Sequence, residues 1–463
     1  MADVAATTTP GSSRTKSTLW TPARRFTTIG LVVVMTLIAF EFMGVATALP
    51  TLVASLHGGR LYAWPITAFS AASAIGSAVA GRWADRRGPG APLLTSIALF
   101  CAGLVVAGTA VDMPVLLVGR VVQGVGAGAA TVAMYVLIAQ VYEKSDRPAM
   151  SAVLAGAWVV PSLIGPVVAG FVTVAFGWRW VFLGLVPLLV VGTVFVVPVV
   201  RRLTPPDRGV NSQSRKGLVL AAVAAAVGVA AITAGAQQLD WVSAPVIAVG
   251  LALTVFAVRR LLPRGTFRAG RGLPSVVLSR GMMAGAYDAA ESYVPLALTA
   301  VHGLTPSLAG LPLTIGALGW SAASAWQGRY AHLSRSKLLQ VAMVLVAVGI
   351  AGVAFVALRQ VPSWVVFPAW VFAGTGMGIG MPAVAVLVLG QSPDDEQGFN
   401  SSAVQLAEVM GSVILVGLGG VLINLLGSTS HPGGPLLLLD LVLAGVAALG
   451  ALIPGGRTQP VSR

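Results

Sequence analysis

The sequence predicts an all-α membrane protein with fourteen transmembrane helices, and three observations lead to this prediction. The chain of 463 residues is 56% hydrophobic and only 10% charged, whereas soluble folds have about 25% charged residues. Its mean hydropathy is +0.87, so lipid must cover most of its surface. Fourteen apolar segments are each long enough to cross the ~30 Å hydrocarbon layer. Lipid-exposed backbone must satisfy its own hydrogen bonds, so these segments are predicted to be helical.

The fourteen predicted spans follow one another with polar or basic stretches between them. They are 27–54, 62–82, 91–110, 114–140, 148–174, 179–200, 217–236, 241–258, 281–301, 307–327, 338–358, 364–390, 398–425 and 434–454.

The distribution of basic residues sets the predicted topology. With the N-terminus placed inside, 25 of the 29 lysines and arginines fall in the tails and loops on the inner side. Arg60, Arg179 and Arg359 fall outside, and only Arg120 lies within a span. This bias is the positive-inside rule, so both termini are expected in the cytoplasm. The net charge of +14 therefore reflects topology, and nucleic acid is excluded as a partner. The excess of arginine over lysine is typical of a GC-rich bacterial genome, which predicts the bacterial inner membrane as the location.

An internal repeat divides the chain into two halves. Gly81-Arg82-Trp83-Ala84-Asp85 after the second span matches Gly328-Arg329-Tyr330-Ala331-His332 after the tenth, and glycines of the fourth span recur in the twelfth. Parallel six-span repeats with a substrate site between them are typical of secondary transporters. The predicted units are an N-terminal tail 1–26, an N-terminal six-helix bundle 27–200, a cytoplasmic linker 201–216, an accessory helix pair 217–258, a basic linker 259–280, a C-terminal six-helix bundle 281–455 and a C-terminal tail 456–463.

Several motifs occur in an order that resembles the major facilitator superfamily, and specifically its fourteen-helix drug–proton antiporter branch. They are Gly81 to Gly88 after the second span, Arg120 to Gly124 in the fourth, Gly156, Gly165-Pro166 and Gly170 in the fifth, Glu41 to Ala48-Leu49-Pro50 in the first, and Trp178 to Phe182. Glu41 stands where the branch usually has aspartate, and Pro161 and Ala169 stand where it favours glycine.

The resemblance implies two six-helix bundles that alternate around a central cavity and export lipophilic or cationic small molecules in exchange for protons. It further implies a monomer that contacts substrate, protons and membrane lipids. The proton gradient is the expected energy source, because the phosphate-binding pattern G-x-x-x-x-G-K-[ST] is missing from the sequence. No cofactor, metal site or catalytic residue is expected, so the chain is not predicted to be an enzyme.

The turn after the second span is interpreted as a conformational latch. Gly81, Asp85, Arg86 and Gly88 are its expected elements. A carboxylate at this helix end could cap a neighbouring helix and pair with an arginine, and both contacts would break when the halves separate. The alternative is that the arginines only set topology.

Ionisable residues inside predicted spans are the candidates for coupling, because a charge at mid-helix costs about 2.5–3.5 kcal/mol. Glu41 is the leading proton carrier, and a static pair with Arg120 is its alternative. Asp288 and Glu291 share one helical face, where they could hold a proton, anchor a cationic substrate or form a solvated surface. Glu408 is a further relay or substrate group, and Asp440 has a weaker claim.

Three other functions remain open at this point. An exporter or flippase of lipids or cell-envelope glycolipids could use the same architecture. A nutrient–proton symporter is less favoured, because the fifth-span Gly-Pro motif resembles the antiporters. A membrane enzyme would require a convergent nucleophile or metal cluster, and the sequence contains neither.

Overall fold

The computed structural model describes residues 20–21, 24–143, 146–201, 216–238, 243–263, 265–330, 333–392 and 397–453. These residues form α-helices joined by short loops, and no β-strand occurs among them. The helices are α1 (Arg25–Ser55), α2 (Trp64–Arg87), α3 (Gly90–Gly108), α4 (Met113–Val141), α5 (Arg147–Gly156), α6 (Val159–Ala175), α7 (Arg179–Leu183), α8 (Leu185–Val200), α9 (Lys216–Gln238), α10 (Ser243–Leu261), α11 (Leu273–Leu296), α12 (Pro306–Arg329), α13 (Arg335–Val356), α14 (Val366–Gln391), α15 (Gln397–Leu426) and α16 (Gly433–Leu452). The predicted tail 456–463 and most of tail 1–26 and linker 201–216 lie outside the described residues.

Ten helical stretches of the described chain are long and apolar enough to cross a membrane, which confirms an all-α multi-pass membrane protein. The other four predicted spans correspond to α5–α6, α9, α10 and α11. The first of these is interrupted, and α9 and α10 contain shorter apolar stretches within their described residues. Helix α11 is less apolar because it carries Arg280, Asp288 and Glu291.

Two predicted spans are interrupted one turn before a proline. Helix α5 ends at Gly156 ahead of Pro161, and α7 ends at Leu183 ahead of Pro187. Proline has no N–H to donate to the carbonyl four residues earlier, and its ring clashes with that carbonyl. The sequence predicts a kink at Pro161 and Pro166; the helix instead breaks before Pro161 and continues through Pro166.

Packing within the two halves reproduces the sequence repeat. The Ser77 hydroxyl on α2 donates to the Gly128 carbonyl on α4 over 3.1 Å. The Ser324 hydroxyl on α12 donates to the Gly378 carbonyl on α14 over 2.9 Å. These residues are related by the offsets of the sequence motifs, so the repeat is also a repeat of helix contacts.

The ends of two helices differ from the sequence prediction. Helix α2 continues to Arg87, so the latch residues other than Gly88 belong to its last turns and not to a loop. The negative end of the helix dipole stabilises the positive charges of Arg86 and Arg87 in this last turn. Gly88 ends the helix with a φ of 77°. Helix α11 begins at Leu273, so Arg280 is helical and buried instead of lying in a loop.

The accessory helices α9 and α10 pack against each other. Helix α9 also packs against α2 of the first half and α15 of the second. Small residues allow the close approach, with Gly228 on α9 facing Gly250 and Thr254 on α10.

Glycine at the α2–α4 crossing is predicted to be required for folding. A Cβ on Gly128 would collide with the Ser73 carbonyl, whereas a Cβ on Gly445, on the exposed face of α16, would meet nothing within 4 Å. Gly128→Ala should therefore destabilise the protein by about 1–3 kcal/mol, with Gly445→Ala as the matched control. Thermal unfolding of the purified variants in detergent measures both, and equal melting temperatures would contradict the packing argument.

Candidate functional site

A cavity of about 1650 Å³ lies between the two halves and is lined by residues of both. The cavity extends to the end of the molecule where α2 and α4 have their C-terminal ends. Arg86 and Gln140 line the cavity there and are exposed. We call this the open end of the molecule, and the opposite end, where α2 begins, the closed end.

Contacts between the halves seal the closed end. The Tyr62 and Tyr293 rings stack with centroids 5.3 Å apart, and the Tyr62 hydroxyl donates to the Ser292 carbonyl over 3.4 Å. The Asn424 amide donates to the Arg60 carbonyl over 2.8 Å. The cavity is therefore accessible from one end only in this conformation.

The predicted antiporter motif supplies a second contact between the halves near the closed end. A Cβ on Gly170 would lie 2.6 Å from the Ser307 Cα on α12, and a Cβ on Gly310 would lie 2.9 Å from the Pro166 carbonyl. Gly165 is buried and faces Met43 on α1, whereas a Cβ on Gly156, the last residue of α5, would meet nothing within 4 Å. Gly170 and Pro166 thus let α6 and α12 approach closely.

Glu41 is paired with Arg120 in the core of the first half. The Arg120 Nη1 donates to the Glu41 carboxylate, and the two side chains are 0% and 1% exposed. The guanidinium also donates from Nε to the Pro65 carbonyl over 2.9 Å, and its Cζ lies 4.4 Å from the centroid of the Phe69 ring. This is the geometry of the static pair that the sequence left open as the alternative for Glu41.

Gln123 completes this pair and was not predicted from the sequence. Its amide accepts from Arg120 over 3.1 Å and donates to Glu41 over 3.3 Å. It lies one turn after Arg120 on α4, and the i, i+3 spacing was the available signal. Within the described part of the chain, the second Glu41 oxygen has no hydrogen-bond partner.

Asp288 and Glu291 lie on one face of α11 and line the cavity. Asp288 accepts a hydrogen bond from Ser412 on α15. Glu291 is 9% exposed, and no ion pair or hydrogen bond to its side chain occurs among the described residues. Two carboxylates separated by one helical turn repel each other when both are ionised, so a proton or a cation must neutralise this face.

Glu408 on α15 forms an ion pair with Arg280 on α11. Both residues line the cavity, between the Asp288/Glu291 face and the open end. The Arg280 side chain is 5% exposed and that of Glu408 is 24% exposed. Arg280 was predicted to lie in a loop, so this pair was missed from the sequence. The cavity wall of the second half thus holds three carboxylates and one arginine.

Aromatic side chains lie on or beside both walls of the cavity. The Tyr287 ring stacks on Trp370 at 5.0 Å and meets Trp320 edge-on at 5.7 Å. On the opposite wall, Phe42 meets Trp158 at 6.3 Å. The faces of such rings attract cations and apolar groups alike.

The repeat relates the two acidic sites to each other. Asp288 follows Glu41 at the offset of the repeated motifs, and Trp370 follows Arg120 at the offset of the glycines. The first half therefore neutralises its acid with an arginine, while the second half has an aromatic ring at the arginine position and leaves its acids facing the cavity.

The predicted latch residues lie at the open end. Gly81 and Arg86 line the cavity, and Gly88 closes α2 through a hydrogen bond from its N–H to the Ala84 carbonyl at 2.8 Å. The Asp85 side chain is outside the described part of the structure. Asp440 lies away from the cavity in the core around α16, where it is 3% exposed.

No group of three or more metal-ligating side chains occurs among the residues that the structure describes. His332 is outside that set.

A family model described as Major Facilitator Superfamily matches residues 31–416 and also 276–461 of the chain. The chain is 29% identical over 439 residues to an uncharacterized MFS-type transporter of Mycobacterium tuberculosis strain H37Rv, covering 88% of this chain but only 61% of that protein. A probable multidrug-efflux transporter of the same strain is 27% identical over 412 residues, covering 83% of this chain and 84% of that protein.

Solved structures with the same fold include a POT family transporter in complex with 5-aminolevulinic acid. Its TM-score is 0.68 at 15% identity, and the match covers 92% of this chain and 94% of that one. An auto inhibited POT family peptide transporter matches with a TM-score of 0.65 at 16% identity, covering 91% and 94%. At these identities the likeness establishes the fold alone.

The buried pair predicts a large stability difference between single and double variants. Arg120→Met leaves the Glu41 carboxylate buried without its cation and should destabilise the protein by about 3–5 kcal/mol. Adding Glu41→Leu should restore most of that loss. Glu143→Gln, which removes a carboxylate that is 65% exposed, is the control and should cost at most about 1 kcal/mol. Thermal unfolding in detergent measures all three, and a double variant no more stable than Arg120→Met would contradict the pairing.

Proposed function

The chain belongs to the Major Facilitator Superfamily, and from that premise we propose that it is a proton-coupled exporter of lipophilic or cationic small molecules. It is a transporter and not an enzyme. The proposal depends on one observation above all: Asp288 and Glu291 line the central cavity without a partner cation of their own among the described side chains.

Coupling follows from the cost of charge in this environment. A carboxylate in a poorly hydrated, aromatic-lined wall is stable only when a proton or a cation neutralises it. A cationic substrate and protons therefore compete for the Asp288/Glu291 face, and binding of one releases the other. In an alternating-access protein this competition is antiport.

In this proposal the role of Glu41 is structural. Its carboxylate is already neutralised by Arg120 and is closed off from solvent, so proton exchange there would require breaking a buried pair. Glu408 is an intermediate case, since it is paired with Arg280 but partly exposed to the cavity. We propose it as the group that passes protons between the open end and Asp288.

The aromatic wall supports the proposed substrate class. Trp320 and Trp158 face the cavity from opposite halves, and rings of this kind bind apolar cations through both burial and cation–π attraction, worth about 0.5–2 kcal/mol per contact. The similarity to a probable multidrug-efflux transporter points the same way.

We further propose the topology that the basic residues predict: fourteen spans, with α9 and α10 as an accessory pair, in the bacterial inner membrane with both termini in the cytoplasm. The open end, where Arg82 and Arg86 lie, is then cytoplasmic, and this conformation is inward-facing. The latch of α2 would hold the halves together at that end in the outward-facing state.

The proton gradient is the proposed energy source, and a monomer without a cofactor suffices for this mechanism. For a neutral substrate, one proton moving inward across 100 mV releases about 2.3 kcal/mol, which supports a substrate gradient of roughly 50-fold. Exchange of one proton for one monovalent cation moves no net charge, so the pH difference alone drives it.

The coupling site predicts separable effects on exchange and on net transport. In proteoliposomes with an imposed pH gradient, Glu291→Gln should abolish proton-driven movement of ethidium, because amide replacement removes the site of competition. Ethidium exchange without a pH gradient should persist, since the cavity and its aromatic wall remain. Fluorescence of ethidium on DNA enclosed in the vesicles reports both.

Glu41→Gln is the matched control for this prediction. It removes a buried acid of the other half and should retain proton-driven transport in whatever protein folds. Loss of driven transport in Glu41→Gln but not in Glu291→Gln would assign the proton to Glu41 and overturn the proposed site. Movement of fluorescent phospholipids but not of ethidium would favour a lipid flippase.

A further inference from the structure

The two acids that share one face of α11 differ in the hydrogen bonds that they receive. The Asp288 carboxylate accepts a hydrogen bond from the Ser412 hydroxyl of α15. Glu291, one turn further along α11, is 9% exposed, and its carboxylate accepts none from a described residue. Ser292, the hydroxyl next to it in the sequence, donates instead to the Asp288 backbone carbonyl over 2.6 Å. Hydrogen bonding therefore distinguishes two acids that otherwise line the same cavity.

A close crossing of α11 and α15 brings Ser412 to Asp288. A Cβ on Gly285 would lie 2.5 Å from the Gly411 carbonyl carbon, and a Cβ on Gly411 would collide with the Gly281 carbonyl. Because these positions are glycine, the two backbones approach closely enough for a short serine side chain to reach the carboxylate. Ser412 is 6% exposed, so water competes little for its hydroxyl.

The other ionisable groups near the two acids do not separate them in the same way. Arg280 and Tyr287 on α11 and Glu408 on α15 act on them electrostatically, and the opposite charges of the Arg280–Glu408 pair partly cancel. Of the other α-helices that pack on α11, α14 has no charged residue, and α12 and α13 carry theirs at the open end. Glu41 on α1 is paired within its own half, and Asp440 on α16 lies in the core away from the cavity.

We infer that Ser412 is a positioning residue that keeps Asp288 ionised, so that the exchangeable proton of this face resides on Glu291. An O–H donated to a carboxylate favours its charged form, and two like charges one helical turn apart repel each other. Asp288 is then the group that binds a substrate cation, and binding of the cation releases the proton from Glu291. This consequence for exchange rests on the proposed function, whereas the location of the proton does not.

Infrared difference spectroscopy of the purified protein detects this proton, because a protonated carboxyl group has a C=O stretching band that an ionised one lacks. At neutral pH, Glu291→Gln should remove one such band, and Asp288→Asn should remove none. Loss of a band in Asp288→Asn, or in neither variant, would overturn the inference.

The role of Ser412 is tested in the Glu291→Gln background, where Asp288 is the acid of this face that still titrates. Ser412→Ala should move the appearance of the Asp288 band to a pH higher by about one unit, since a hydrogen bond to the charged form is lost. Ser412→Thr keeps the hydroxyl and should leave the titration in place. Ser324→Ala is the matched control, because that cavity-lining hydroxyl donates to a backbone carbonyl and not to an acid.

Equal titrations in Ser412→Ala and Ser324→Ala would contradict the positioning role. Because the spectra require no transport, this test is separate from that of the proposed function. A protein that shows the division between Asp288 and Glu291 but no proton-driven movement of ethidium would reject the proposed function and retain the inference.

Discussion

A charge buried among membrane helices must be neutralised where it stands, and this constraint shapes both halves of the protein. In the first half, Arg120 neutralises Glu41, and Pro65, Gln123 and Phe69 satisfy the rest of the guanidinium. The pairing offsets the cost of burying these two charges. It also closes both side chains off from solvent. In the second half the described residues of the corresponding wall include three carboxylates and one arginine.

The repeat explains how one protein came to contain both arrangements. Equivalent contacts such as Ser77 with Gly128 and Ser324 with Gly378 show that the helix scaffold is the same in each half. The halves differ at the acidic sites: a tryptophan, Trp370, stands at the position equivalent to Arg120, and Tyr287 stacks on it beside Asp288. Because Trp370 stands at this position, Asp288 lacks the arginine partner that Arg120 provides for Glu41.

Most of the fold could be predicted from the sequence, because hydrophobic length and the placement of arginines are dictated directly by the membrane. The acids that line the cavity were also found, since an ionisable residue in an apolar segment is conspicuous. The partners of individual side chains were harder to predict. Arg280 lies close to the basic linker and was interpreted as part of it, and only the start of α11 at Leu273 places it against Glu408. Hydropathy does not predict the helix breaks before Pro161 and Pro187, because they result from the backbone N–H that proline lacks.

Helix α11 links the acids to the closed end. Glu291 is followed directly by Ser292, whose carbonyl accepts from Tyr62, and by Tyr293, which stacks on Tyr62 and donates to the Val416 carbonyl on α15 over 2.8 Å. Pro295 has no N–H for the Glu291 carbonyl, and a π-helical turn at Ala297–Val301 follows. Regular helix hydrogen bonding is therefore weakest between the acids and the end of α11. Glu291 therefore lies within one helical turn of the residues that hold the two halves together at the closed end.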